Sequence, residues 1–196
     1  MANSNSPFGL IAVRENGQPY MGQLNIYYVP ASYGSNIFLG DPLIPTGTSD
    51  ANGIPGVQLA SAGGGAYLVG SCQGIVAGGD PQIAVTRDQP IYHPASTNQY
   101  ILVADDPNQL FKIQEDSVGG ALATTNSWDN ADLVSGAGST VTGYSGWQLD
   151  SSTAQTTNTL QLRVLRLLQE ADNVIGTNAK WLVRINLHSL WNTTGI

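Results

Sequence analysis

The sequence predicts a mainly β protein: an antiparallel sandwich or barrel, jelly-roll-like forms included, with long Gly/Ser/Thr/Asn-rich loops and an extended N-terminal arm. Three observations point there. Hydrophobic residues make up 41 % of the chain and fall in short bursts. That is the pattern of strands, whereas disorder joins low hydrophobicity to high net charge. Glycine (23) and proline (10) recur between the bursts, where they punctuate turns. Charged residues are only 11 %, against about 25 % in an average globular domain, so the polar part of the chain is mostly neutral loop. At 196 residues the chain is long enough to bury a core without disulfides or metals. The organisation expected is an arm over residues 1–20 and a single β-rich domain over 21–196 that ends in a hairpin and a short tail.

Taken in order, Pro7 and Pro19 bracket the arm, Phe8–Val13 is its apolar run, and Asn16-Gly17 is a turn signal. Leu24–Val29 is rich in β formers and is closed by Pro30. Residues 30–56 read as loop because of Gly40-Asp41-Pro42, Pro45, Asn52-Gly53 and Pro55-Gly56, with one short strand at Ile37–Leu39. Val57–Ala60 is a strand and Gly63–Gly65 a flexible tip. Ala66–Val76 is a longer strand whose Gly70 and Gly74 mark a bulge or a close backbone approach. Gly78–Pro81 is a turn and Pro90–Tyr92 a short edge strand. Tyr100–Ala104 is the clearest buried strand. The turn Asp105–Asn108 leads to Leu110–Glu115, with Phe111, Ile113 and Glu115 on one face, and the two strands are expected to form a hairpin. Residues 116–146 are again loop, with a short helix near Val118–Thr125 opposed by two adjacent glycines. Trp147–Leu149 begins a strand. Leu160–Leu168 places Leu160, Leu162 and Val164 on one face and is expected to pair with the last strand, Lys180–Leu187, around a turn at Gly176. About nine to twelve short strands result, which is sandwich or barrel territory.

The net charge is −7, so direct nucleic-acid binding is not expected, because phosphate contacts need clustered Lys and Arg. The charge is uneven. Residues 163–196 carry four of the seven bases (Arg163, Arg166, Lys180, Arg184) and only two of the fourteen acids, making the C-terminal hairpin basic on an acidic body. Few charges also mean few devices for keeping surfaces apart, a hint of assembly. No run approaches the roughly 18 apolar residues of a membrane-spanning helix, and Met1–Asn5 lacks the regions of a signal peptide, so no membrane contact and cytosolic synthesis are expected.

Residues that carry chemistry are scarce. Only His93 and His188 could serve as an imidazole base, no Gly-x-Ser-x-Gly elbow occurs, and both histidines read as surface or interface residues; no catalysis is expected. Cys72 is the lone cysteine, without an activating neighbour, and reads as a small core residue. Zinc would need several Cys or His at short spacing. Calcium would need clustered oxygens, for which Asp105, Asp106 and Asn108, or Glu115 and Asp116, are the nearest match, though Asp-rich turns more often accept backbone hydrogen bonds. The glycine stretches lack a Walker lysine, and Asn192-Thr193-Thr194 matches a glycosylation sequon by chance. No cofactor or metal is expected. Trp128, Trp147, Trp181 and Trp191 suit either a carbohydrate groove or anchoring in cores and interfaces.

Six stretches taken together carry a resemblance: Ser6–Leu10 (SPFGL), Pro94–Thr97 (PAST), Tyr100–Pro107 (YILVADDP), Phe111–Asp116 (FKIQED), Gly146–Ser152 (GWQLDSS) and Ala179–Asn186 (AKWLVRIN). In this order they resemble structural proteins of tailed-bacteriophage virions, of the capsid decoration or cement type. The resemblance implies a β-rich subunit on the capsid exterior that bridges major capsid protein subunits, with copies of itself as a dimer or trimer. A tail or fibre component and a carbohydrate-binding β module are the alternatives. Two contact regions are expected, the arm with Phe8, Leu10 and Arg14 and the tail with Leu190 and Trp191, each either reaching a neighbour or folding back on its own subunit. On the first reading, removal of residues 1–12 weakens attachment and leaves the fold intact.

Overall fold

Two groups of strands, each around its own apolar core, account for most of the chain. The computed structural model describes residues 3–15, 18–76, 90–191 and 195. The strands are β1 (Ile11–Glu15), β2 (Gln18–Pro19), β3 (Asn25–Val29), β4 (Ile37–Phe38), β5 (Pro42–Ser49), β6 (Pro55–Leu59), β7 (Gly70–Ile75), β8 (Tyr92–His93), β9 (Gln99–Ala104), β10 (Gln109–Gln114), β11 (Asn130–Ala131), β12 (Leu133–Val134), β13 (Gln148–Leu149), β14 (Leu162–Leu167) and β15 (Lys180–Ile185). The mainly β expectation holds. The first group closes into a five-stranded barrel in the order β3-β6-β5-β7-β9, and the second is a six-stranded antiparallel sheet in the order β11-β14-β15-β10-β1-β2.

The barrel closes around Val29, Ile37, Leu43, Val57, Cys72, Ile101 and Val103. Cys72 is thus the core residue that the lack of an activating neighbour suggested, and burial pushes its thiol pKa up. Both glycine signals in β7 have their expected meaning. The ladder slips between Cys72 and Gly74, and a Cβ at Gly70 would collide with the Ala104 carbonyl. The sheet packs its inner face into a second core that includes Phe111, Ile113, Trp147, Leu149, Leu162, Val164, Trp181, Val183 and Ile185. Leu59 packs against both cores.

Several expectations are corrected. Tyr100–Ala104 and Leu110–Glu115 do not form a hairpin. β9 pairs with β3 and β7 in the barrel, whereas β10 pairs with β1 and β15 in the sheet. The turn at Asp105–Asn108 therefore carries the chain from one core to the other, and adjacency in sequence misled because Ile101 and Val103 belong to the barrel core while Phe111 and Ile113 belong to the sheet core. Within the loop expected over 30–56 lies β5, an eight-residue strand. Pro42 is tolerated as the first residue of the strand and Pro45 because the β5–β6 register becomes irregular between Pro45 and Ser49. Near Val118–Thr125 only a 3-10 turn forms, at Thr124–Asn126. The turns at Asn16-Gly17 and Gly78–Pro81, Arg87 and the sequon at 192–194 lie outside the described residues. The C-terminal hairpin holds: β14 and β15 are antiparallel from Leu162↔Ile185 to Leu167↔Trp181.

The segment expected as an arm over 1–20 is built into the sheet. β1 lies between β10 and β2, and Leu10 is fully buried in the sheet core. A back-to-back glycine crossing fixes the entry. Gly9 (φ 72°) and Gly40 (φ 91°) take left-handed backbone, and a Cβ on either would strike the other segment's carbonyl. The Leu10 N–H donates to the Gly40 carbonyl at 2.7 Å. Upstream, Gln114 Nε2 donates to the Ser4 carbonyl at 2.8 Å and the Ser6 N–H donates to Gln114 Oε1 at 2.9 Å. Removal of residues 1–12 would therefore take out core side chains and sheet pairing together, which corrects the expectation of an intact fold.

Candidate functional site

Because directly opposed residues of an antiparallel ladder point to the same face, the register assigns every side chain of the six-stranded sheet to one of two faces. The inner rows read Val164, Val183, Phe111, Ala12 and Leu167, Trp181, Ile113. The outer rows read Arg163, Arg184, Leu110, Arg14 and Arg166, Leu182, Lys112, Ile11, with Lys180 opposite Gln114 in a third. Six of the chain's seven bases thus share the outer face of one sheet, and the seventh, Arg87, lies outside the described residues. The sequence showed a basic hairpin; it did not show that Arg14 and Lys112, far apart in the chain, join the same rows.

The two lysines are neutralised locally. Lys180 Nζ lies 3.0 Å from Glu170 and 2.9 Å from Asp172, and Lys112 Nζ lies 3.6 Å from the other Glu170 oxygen. Among the described residues, Arg14, Arg163, Arg166 and Arg184 have no carboxylate partner. Arg163 Nε donates to Asn130 Oδ1 at 3.0 Å. Arg184 Nε is buried without a hydrogen-bond partner among the described residues, and burial, then the neighbouring Arg163, lowers its pKa. Opposed like charges on a ladder destabilise a sheet, so this arrangement is a cost to the isolated subunit.

Aromatic side chains dress the same face. The Trp191 ring, 47 % exposed, lies with its centroid 4.7 Å from the Arg184 guanidinium carbon, and Lys112 Nζ sits 5.4 Å from the Phe8 ring. Of the five expected contact residues, Phe8, Arg14 and Trp191 therefore meet on this outer face. Leu190 is exposed beside them in chain but lines a cleft of about 470 Å³ with Leu24, Asn25, Asp105 and Asp106. Leu10 is core and is not available to a partner. The expected arm and tail are thus brought together, by a sheet that neither segment announces alone.

Both histidines, expected at a surface or interface, are buried instead. His93 Nδ1 lies 3.1 Å from Gln99 Oε1, and His188 Nδ1 accepts the Leu190 N–H at 3.2 Å; among the described residues neither Nε2 has a hydrogen-bond partner. Burial lowers both pKa values, with Gln99 opposing at His93 and Asp105 and Asp106 opposing at His188. The carboxylates considered for calcium are occupied otherwise. Asp105 accepts from Asn25 Nδ2 at 2.9 Å and Tyr27 OH at 2.7 Å. Glu115 is buried and accepts from the Leu122 N–H at 2.9 Å, Ser117 OH at 3.2 Å and Trp181 Nε1 at 3.3 Å. Among the described residues no three His, Cys, Asp or Glu side chains gather as metal ligands. Of the tryptophans, Trp147 and Trp181 are buried and Trp128 and Trp191 exposed.

No family model, curated protein or solved structure matches this chain. The geometry of the sheet face therefore carries the functional reading.

Proposed function

We propose that this chain is a non-catalytic structural subunit that docks on other protein surfaces, and that its setting is the exterior of a tailed-phage capsid, where it bridges major capsid protein subunits. The observation that carries the docking role is the outer sheet face, which holds four arginines without carboxylate partners among the described residues, one of them, Arg184, stacked on the exposed Trp191 ring. Arginine and tryptophan are the residue types that dominate binding energy at protein interfaces. The resemblance of the six sequence stretches supplies the virion setting. A decoration subunit needs a rigid β core, an interface and many weak contacts acting together, and the two-core fold supports that use.

The test is the location and stoichiometry of the protein in purified particles. A copy number that scales with the shell subunits, lost on reversing Arg14 and Arg166 to glutamate, is the expected result. A copy number matching the symmetry of the tail would move the protein to the tail, and absence from particles would sink the virion setting.

A further inference from the structure

We infer that the outer face of the six-stranded sheet binds a discrete carboxylate-bearing protein surface, and does not bind nucleic acid. The inference deepens the docking role proposed above and rests on it. Its first support is the type of cation left free. The lysines are already paired with Glu170 and Asp172, whereas among the described residues the bases without a carboxylate are all arginines, whose planar forks take carboxylates in bidentate pairs. Arg163 and Arg184 stand opposite one another on the ladder, where a bridging carboxylate would remove their repulsion.

Size and surrounding charge separate the two kinds of anion. Six strands at about 4.8 Å and some six residues at about 3.4 Å give a face near 29 by 20 Å, smaller than the roughly 800 Å² that a standard interface takes from each partner. Among the described residues every base lies on this face, while Asp50, Asp106, Asp116, Asp129 and Asp150 keep partly exposed carboxylates with no salt-bridged base. A DNA duplex, with a charge every 1.7 Å or so along its axis, would run off the cationic face onto surface that offers it no base among the described residues. A protein surface with a local cluster of Asp and Glu ends where the arginines end. The small area makes each contact weak, so firm attachment requires several subunits bound together.

The experiment titrates the full-length protein with a Glu-rich peptide and, separately, with a short DNA duplex, each at low and high NaCl, following the emission of Trp191. Isothermal titration provides a signal independent of the other tryptophans. The peptide is expected to bind at low salt and weaken at high salt. Arg14→Glu with Arg166→Glu, both at exposed positions, should weaken it on the order of tenfold. Val141→Glu, the same kind of change at an exposed site off the sheet, should leave it within about twofold. Unchanged thermal melting of each variant shows that the fold is kept. Binding of the duplex as tight as that of the peptide overturns the inference, as does failure of the peptide to bind or indifference to the arginine reversals. Peptide binding by a protein absent from virions would keep the carboxylate face and discard the capsid setting.

Discussion

At the scale of single residues, the polar groups with most at stake are inside. Glu115 is a buried carboxylate without a cation, held by the Leu122 N–H, Ser117 and Trp181, while burial raises its pKa against those donors. Glu115→Ala would strand the indole and amide donors in the core and is expected to cost about 3 kcal/mol. Glu115→Gln keeps an acceptor and should cost clearly less; equal losses in denaturant titration would refute the hydrogen-bonding role. The histidines set an acid limit. Their folded pKa values lie below the ordinary value, so the unfolded chain binds protons that the native protein refuses. The histidines' contribution is full above about pH 6.5 and falls as the pH drops below it. Asp41 acts the other way: burial pushes its pKa up to about 6, so its proton uptake favours the native state as the pH falls from that value. His188→Asn, which preserves an acceptor for Leu190, is expected to flatten the decline in melting temperature between about pH 7 and pH 5. A slope identical to wild type would show that His188 does not set it.

At the scale of elements, the first strand ties the N-terminal segment to both halves of the molecule. The crossing of Gly9 and Gly40 joins it to the loop after β4, and the β1–β10 ladder joins it to the sheet. Gly9→Ala combines left-handed backbone with a collision against a carbonyl, and a loss of about 2 kcal/mol or more is expected. Removal of residues 1–12 should abolish cooperative unfolding. A truncated protein that melts like the intact one would mean that β1 is dispensable. Pro42 and Pro45 hid β5 in the sequence, because the start of a strand and an irregular register tolerate a proline that a regular ladder rejects.

At the scale of the whole molecule, the uneven charge becomes a cationic face on an acidic body. The opposition of Arg163 and Arg184 implies a trade between stability and binding. Arg163→Gln is expected to leave the melting temperature unchanged or raise stability by about 0.5 kcal/mol, while attachment to the acidic partner weakens. A variant that loses stability and binds normally would make the pair structural. The burial of both histidines belongs to this scale too: His93 lies on β8 and pairs with Gln99 on β9, while His188 sits where the Leu68 backbone meets the C-terminal segment.

The sequence by itself determined the mainly β class, the buried faces of β10 and β14, the glycine bulge in β7, the C-terminal hairpin and the core cysteine. Each follows from alternation, branching or a missing Cβ, which are local properties. The tertiary structure alone decided that β9 and β10 part company, that Leu10 is core while Phe8 is not, and that both histidines are inside. These depend on pairings between segments far apart in the chain. The same holds for the cationic face. Four of its bases lie together in the C-terminal segment, but Arg14 and Lys112 join them only through the β10–β15 and β1–β10 registers, and a register is a long-range pairing that no local pattern encodes.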